Sequence, residues 1–388
     1  MRLDQISVST FGQPRHDATD DFWWFDPTPM PRELELEPET LLALSDADMA
    51  LGRLSGVGGM LQEPKLLMRP YAVREALASA RIEGTQASLT QVFQAQASHA
   101  RPHADVEEVS AHIRALEYGL ELAAEQLDLN TLYKVHAMLM KSGRGKEPGR
   151  PRSVPVWLGS PTAKPQTAVF VPPIGDALER SLLDWEKFLT TPPRMPTLIK
   201  AALLHYQFLT IHPMLDGNGR LGRMLVLLYL RRENRISVPL LYVSPYFAAR
   251  RREYYDRLQA VRERGEIQQW LQFFLTAVAA QAEDGVMRAR RLLGLREKYR
   301  VELRGSRSRA TDVVEALFTN PVITTSLIKK TLGVTSQGAM NLIRSLESRG
   351  WLEDIGTSGR GGARMWMASE VFSIISGDDE VNHGDFAG

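Results

Sequence analysis

The sequence predicts a mainly α protein: a helical body followed by a small module of helices and a hairpin. Three observations carry that expectation. Apolar residues recur at helical spacing through most of residues 41–298, β-favouring runs in that body are confined to Val154–Leu158 and Ala168–Val171, and a polar, basic stretch after residue 299 separates the body from a compact C-terminal pattern.

Residues 1 to about 37 read as an irregular arm, because Pro27, Pro29, Pro31 and Pro38 interrupt it; its aromatic run Phe22, Trp23, Trp24, Phe25 is expected to dock on the body. Leu41, Leu42, Leu44, Met49, Leu51 and Leu54 mark a first helix punctuated by Gly56, Gly58 and Gly59. A second is expected over Leu66–Glu83, ending at Gly84, and helical patterns resume over Val106–Met140. The stretch Gly143–Pro173 carries the two β-favouring runs and reads as a hairpin. Helices are then expected near Ile174–Leu189, Thr197–Thr210, Arg220–Arg232, Arg250–Arg264 and from Gln268 to about Lys298.

Arg300–Arg309 reads as a linker. Beyond it Ala310–Phe318, Thr325–Leu332 and Ser336–Arg349 fit three short helices with Gly333 at a tight turn, and Trp351–Ile355 with Ala363–Met367 fits a hairpin. The expected divisions are 1–105, an arm and helical region; 106–298, the core; 299–309, a linker; 310–376, the small module; and 377–388, an acidic tail expected to be disordered.

Composition narrows the chemistry. With 44% hydrophobic residues in 388, the chain can bury at least one sizeable core, and 47 Lys plus Arg against 46 Asp plus Glu give no bulk signal for nucleic acid or membrane. Zero cysteines exclude disulfides, thiolate zinc sites and cysteine nucleophiles. Residues 1–10 lack the order of a signal peptide and the most apolar run, Met224–Leu230, is too short to span a bilayer; a cytoplasmic protein with no membrane partner is expected.

The segment His212, Pro213, Met214, Leu215, Asp216, Gly217, Asn218, Gly219, Arg220, Leu221, Gly222, Arg223 carries the chemistry. Pro213 biases His212 towards an extended backbone, which ends the preceding helix and leaves an imidazole at a loop mouth, placed for proton work. Gly217 and Gly219 free the backbone to aim N–H groups inward, and the helix starting near Arg220 adds its positive end, so the loop suits phosphate. Arg220 and Arg223 oppose the dipole of their own helix, which makes sense with an anion nearby. Asp216 supplies one carboxylate, enough for Mg²⁺ (or Mn²⁺) shared with phosphates and water; a nucleoside triphosphate is the implied ligand. A P-loop ending and a kinase-like glycine loop are both missing.

These residues resemble the signature of Fic proteins, His-Pro-Phe-x-Asp/Glu-Gly-Asn-Gly-Arg-x-x-Arg, with Met214 in place of the phenylalanine. The resemblance implies a protein adenylyltransferase, in which His212 deprotonates a Ser, Thr or Tyr hydroxyl that attacks the α-phosphorus of ATP. Gly217, Asn218 and Gly219 would then hold phosphate oxygens, Arg220 and Arg223 would balance β- and γ-phosphate charge, and Asp216 would hold the metal. Ser79 through Gly84 resembles the family's inhibitory motif, Ser/Thr-x-x-x-Glu-Gly/Asn, implying that Ser79, Glu83 and Gly84 form an N-terminal lock in which Glu83 withholds Arg223.

The same resemblance covers about residues 41–275. Arg152–Trp157 with Ala168–Pro173 is similar to the flap that lines up a target segment by strand addition, and Tyr246, Phe247 and Arg250–Tyr255 to the segment that closes over the nucleotide. Tyr254 or Tyr255 is placed near adenine, and Arg250 stands where family members often have Asn. His205 and His136 read as packing residues rather than metal ligands. The C-terminal module resembles a winged helix, with Ser336–Arg349 as recognition helix, Arg360 and Arg364 on the wing, and DNA or a docking protein as partner. The target protein, this chain included, is not named by the sequence. Two other readings stay open: a nucleotide-sensing DNA-binding regulator with vestigial transfer, and a transferase using UMP, phosphocholine or phosphate donors.

Overall fold

The computed structural model describes residues 10–59, 64–98, 102–142, 147–160, 162–192, 194–305, 308–357 and 362–377. The expectations for Gly143–Lys146, for Arg360 and for disorder in residues 378–388 lie outside the described residues.

In chain order the elements are a hairpin of β1 (Gly12–Asp17) and β2 (Phe22–Pro27), then α1 (Pro38–Gly59), α2 (Lys65–Ile82), α3 (Leu89–Ala97), α4 (Ala104–Glu125) and α5 (Leu129–Leu139). They continue with α6 (Gly175–Thr190), α7 (Thr197–Ile211), α8 (Asn218–Arg232), α9 (Ser244–Ala249), α10 (Arg251–Arg264) and α11 (Ile267–Glu302). The C-terminal module holds α12 (Ala310–Thr319), β3 (Val322–Thr324), α13 (Thr325–Leu332), α14 (Ser336–Glu347), β4 (Glu353–Thr357), β5 (Arg364–Met367) and α15 (Ser369–Ser376).

Helix α7 is apolar on every side and is buried along its whole length, as a central helix must be. It packs against α6, α8 and α11; α4 packs on α2, α5 and α8, and α1 lies along α11. Two polar groups inside this bundle find backbone partners: Lys200 donates to Leu189 O (3.1 Å) and Thr191 O (2.6 Å) near the end of α6, and Trp270 donates to Ala202 O (3.1 Å). His205 is a core residue, stacked on Trp270 with ring centroids 5.7 Å apart.

Two of these core histidines make a testable statement about acid. His112 and His205 are fully buried, and burial, with Arg223 close to both, lowers each pKa to about 3. Unfolded histidine takes up its proton near pH 6.5, whereas these two stay neutral in the fold, so stability is lost as pH falls through that window. At pH 5 the expected loss is about 2 kcal/mol per histidine relative to neutral pH. Urea unfolding at pH 7 and pH 5 checks it, and an unchanged midpoint would contradict it.

Three expectations are corrected by the structure. The N-terminal arm is not irregular: β1 and β2 pair antiparallel from Gly12 with Pro27 to Asp17 with Phe22. Its aromatics do dock, Phe22 and Phe25 being buried against Ala168, Phe170 and Val171. The flap hairpin is reduced to one antiparallel bridge among the described residues, Leu158 with Phe170, because Pro155, Pro172 and Pro173 have no N–H to extend a ladder. Phe25 N–H instead donates to Val171 O at 2.9 Å, so β2 braces the flap from outside. Finally, the start of the supposed linker is helical, since α11 runs to Glu302 and buries Tyr299 against Trp351, ring centroids 4.0 Å apart.

The C-terminal module is a three-stranded antiparallel sheet, β3-β5-β4, with α13 and α14 beside it. Thr324 and Thr335 cap α13 and α14 through their hydroxyls, which fixes the tight turn at Gly333 (φ 65°). The module is docked on the body: Asn320 donates to Phe93 O (3.1 Å) and Thr324 to Ala97 O (3.0 Å), both in α3. No helix among the described residues is long and apolar enough to cross a membrane.

Candidate functional site

Helix α7 ends at Ile211, and His212 follows in the left-handed region at φ 50°, ψ 60°, not in the extended conformation that Pro213 favours. A left-handed non-glycine residue before proline is strained, and such strain persists only where neighbours over-determine it. The imidazole Nδ1 lies 3.4 Å from Leu209 O; a carbonyl only accepts, so that contact places the proton on Nδ1 and leaves Nε2 as the free base. Burial, then Arg152 and Arg262, lower the His212 pKa to about 4 against the opposing pull of Glu83, so the ring is neutral at physiological pH.

The loop after it is closed by its own residues. Asn218 is buried, its Oδ1 accepting from Met214 N–H and its Nδ2 donating to Met214 O, both at 2.8 Å. Its amide is therefore a staple of the loop rather than a free ligand group, and any contact it makes with an anion comes from its backbone N–H. Met214 fills the core in the phenylalanine's place, with no exposed surface. Gly217 sits at φ 79°, and an added Cβ would lie 2.9 Å from Met140 Sδ and 3.2 Å from His136 Nε2. His136 does more than pack: its Nδ1 accepts from Gly149 N–H (2.9 Å) and its Nε2 therefore donates to Asp216 O (2.9 Å), fixing the loop from behind.

Both arginines of the segment are buried and held by carboxylates from the N-terminal half. Arg223, with none of its side chain exposed, donates from Nε to Ser79 Oγ (2.9 Å) and from Nη2 to Ser79 O (2.8 Å) and Glu83 Oε1 (2.7 Å). Burial works against an ionised Glu83, but Arg223 and its hydrogen bond, then Arg220 and His212, hold the carboxyl below the usual glutamate pKa. At Gly219 an added Cβ would meet Glu83 Oε1 at 2.1 Å and Arg223 Nη1 at 3.0 Å. The carboxylate thus lies on the backbone at the start of α8, where helix N–H groups and dipole favour an anion.

Arg220 pairs with Glu108 of α4, and its Nη2 lies 3.5 Å from Asp216 Oδ1. Glu108 Oε2 in turn accepts from Thr85 Oγ1 (3.4 Å), just past the end of α2. Sequence reasoning missed Glu108, because one acidic residue in an amphipathic helix looks solvated. Gly84 takes φ 100° and stops α2, and Arg251 Nε donates to Ile82 O at 2.8 Å across that helix end.

The nucleotide-closing segment divides. Tyr254 is fully buried, its hydroxyl 2.9 Å from His205 Nε2 and its ring stacked on Phe247 at 4.6 Å, so it has no open face for a base. Tyr255 is 39% exposed beside Arg251, and the Arg250 guanidinium lies 4.0 Å over the Tyr246 ring. Of the three residues singled out there, Arg250 and Tyr255 remain accessible. Asp216 keeps 52% of its side chain exposed, and the described residues hold no group of three or more His, Asp or Glu poised for a metal. A lone carboxylate fits a cation that completes its shell from phosphates and water, not an all-protein cage.

Comparison with known proteins follows the same geography. Residues 41–121 match the Fic/DOC family N-terminal model, residues 126–230 the Fic/DOC family model, and residues 311–367 the HTH DNA binding domain model. The protein adenylyltransferase Fic of Nematostella vectensis is 26% identical over 152 residues, 39% of this chain and 32% of that protein. The protein adenylyltransferase fic-1 of Caenorhabditis elegans is 27% identical over 157 residues, 38% of this chain and 28% of that protein. The chain therefore spans less than a third of the length of these relatives.

In fold, a Fic family protein from Desulfovibrio desulfuricans G20 is similar with a TM-score of 0.56 at 20% identity, over 87% of this chain and 98% of that one. Fic-1 from C. elegans gives 0.51 at 20% identity, over 67% and 74%. Residues 41–121 and 126–230 thus carry a Fic/DOC family N-terminal segment and a Fic/DOC family domain, and a segment matching the HTH DNA binding domain follows them.

Proposed function

We propose that the chain is a protein adenylyltransferase, moving AMP from ATP to a Ser, Thr or Tyr hydroxyl, and that Glu83 inhibits it. The observation that carries the reading is the Glu83 carboxylate lying on Gly219 and Arg223, an anion seated in an anion cradle one short loop from a neutral histidine. A triphosphate is the substrate anion that such a cradle and two arginines suit.

In the reaction, the acceptor oxygen bonds to the α-phosphorus while the bond from that phosphorus to the α–β bridging oxygen breaks. The hydroxyl proton goes to His212 Nε2, and pyrophosphate leaves with the electron pair. Backbone N–H groups at the start of α8, with Arg220 and Arg223, stabilise the charge that builds on the phosphates. Asp216 would hold Mg²⁺ or Mn²⁺, whose chemistry when bound is to offset phosphate charge. The target lies along the flap, where Val154, Trp157 and Val169 are 51%, 41% and 60% exposed and face an incoming extended segment.

Label position tests this. Glu83→Gly protein incubated with Mg²⁺ and a cell extract should place label on protein from ATP labelled at the α-phosphate and none from ATP labelled at the γ-phosphate. Label from neither donor removes the transferase reading; label from the γ-position makes the chain a kinase.

The C-terminal module supports a second role, duplex DNA binding. On α14, Gln337, Asn341 and Arg344 are exposed, and Lys329 and Lys330 are exposed on the neighbouring α13, the residue types that reach bases and phosphates. A gel shift with duplex DNA should show binding that weakens with salt and with Arg344→Ala. A chain that leaves the duplex unshifted at low salt has its module for docking protein instead.

A further inference from the structure

Arg152 opens the flap and is 4% exposed. Its backbone N–H donates to Pro213 O at 2.7 Å. Its guanidinium donates from Nε to His212 O (2.8 Å), from Nη2 to Ile211 O (3.3 Å) and Pro173 O (2.6 Å), and from Nη1 to Val154 O (3.1 Å). One side chain thus joins three stretches that are separate in sequence: the two roots of the flap, at Val154 and Pro173, and the turn of residues 211–213 that holds His212.

The end of a helix leaves carbonyls without partners, and here two of them are buried beneath the flap. A planar guanidinium answers them with forked donors pointing in fixed directions, while its charge meets the negative end of α7. A lysine would bring similar charge as a single point and could not span carbonyls on opposite sides of it. The strained left-handed His212 is therefore fixed on its carbonyl side by Nε and through residue 213 by the Arg152 backbone.

We infer that Arg152 is a positioning residue for the reaction: it clamps the backbone of His212 to both roots of the flap, so that the strand presenting a hydroxyl and the imidazole taking its proton move as one unit. The inference rests on the transferase reading. It also explains the electrostatics around the ring. The charged groups facing His212 are Arg152 from the flap, Arg262 from α10, whose guanidinium lies 4.0 Å over Phe170 and donates to Thr210 Oγ1 at 3.1 Å, and Glu83 from the end of α2. Burial comes first, and the two cations, opposed by one carboxylate, add to it in keeping the ring neutral.

The test uses the full chain with Glu83→Gly, and adds Arg152→Lys or Arg152→Gln. Both should lower kcat for α-label transfer about a hundredfold, the scale of a small misplacement at a reacting centre. The KM for ATP should stay within about twofold, because Arg152 touches none of the phosphate loop. A lysine variant within about threefold of the parent would overturn the proposal, since charge alone would then suffice. Should either variant fail to fold, ¹³C- and ¹⁵N-histidine spectra of the Glu83→Gly protein with Arg152 intact decide: His212 must show the Nδ1–H tautomer and no titration near pH 6.5, and ordinary titration there overturns the clamp. If Glu83→Gly transfers no label at all, the transferase reading fails, while the spectra still report on the clamp.

Discussion

Replacing Glu83 with glycine is expected to raise AMP transfer about 10²–10³-fold, the worth of one preorganised donor returned to a phosphoryl site. The argument is geometric. Arg223 has no exposed surface and spends one nitrogen on Glu83 Oε1 at 2.7 Å, and the same carboxylate covers the Gly219 backbone. Removing it frees the guanidinium and the helix start together. Helix α2 keeps its other holds, Ser79 on Arg223 and Ile82 O on Arg251, so the effect stays local. Arg223 then lacks its anion, which costs stability in a buried site. The variant should melt below the parent without nucleotide and recover more of that loss than the parent gains when Mg²⁺ and ATP are added. Equal transfer rates in parent and variant, with equal nucleotide protection, would show that Glu83 does not inhibit.

Adding His212→Ala to the Glu83→Gly protein is expected to lower transfer by about 10²–10⁴-fold, the range for losing a positioned general base. ATP binding should persist, because the ring belongs to the end of α7 while the cradle belongs to residues 217–223. Calorimetry of ATP with Mg²⁺ alongside α-label transfer separates the two. A variant that keeps its rate moves the base elsewhere; one that loses nucleotide binding makes His212 part of the loop's framework.

Much of this site was legible because its chemistry depends on identities at fixed spacing. Glycines, the loop-closing Asn218 and two arginines at a helix start leave a signature that burial does not hide, and the motif resemblance of Ser79–Gly84 pairs Glu83 with Arg223, whereas the two bonds of Ser79 to the same arginine show only in the fold. What stayed hidden depends on tertiary partners. Arg152 bonds only to carbonyls through its side chain, and carbonyls carry no residue identity. Glu108 and His136 acquire their roles from segments far along the chain. Tyr254 and Tyr255 are neighbours in sequence, yet one faces the core and the other solvent. The hairpin of β1 and β2 is obscured because Phe22–Phe25 is a continuous aromatic run that shows no alternation, and its burial does not alternate either, Phe22 and Phe25 being buried around two half-buried tryptophans. Helix α11 runs into the basic stretch as far as Glu302 because Tyr299 finds cover on Phe318 and Trp351 of the C-terminal module, which no local pattern announces.

The meeting of Glu83 Oε1 with the Gly219 backbone has a consequence for dose response. Under the proposed function, glutamate and phosphate would claim one volume, so Glu83 would behave as a competitor tied to the chain by the last turn of α2. The strength of such a competitor is its effective molarity, set by how firmly the tether is anchored. Loosening the Arg251 hold on Ile82 O or the Thr85 contact with Glu108 would dilute it without touching a single phosphate ligand, and the nucleotide concentration for half-maximal rate would fall accordingly.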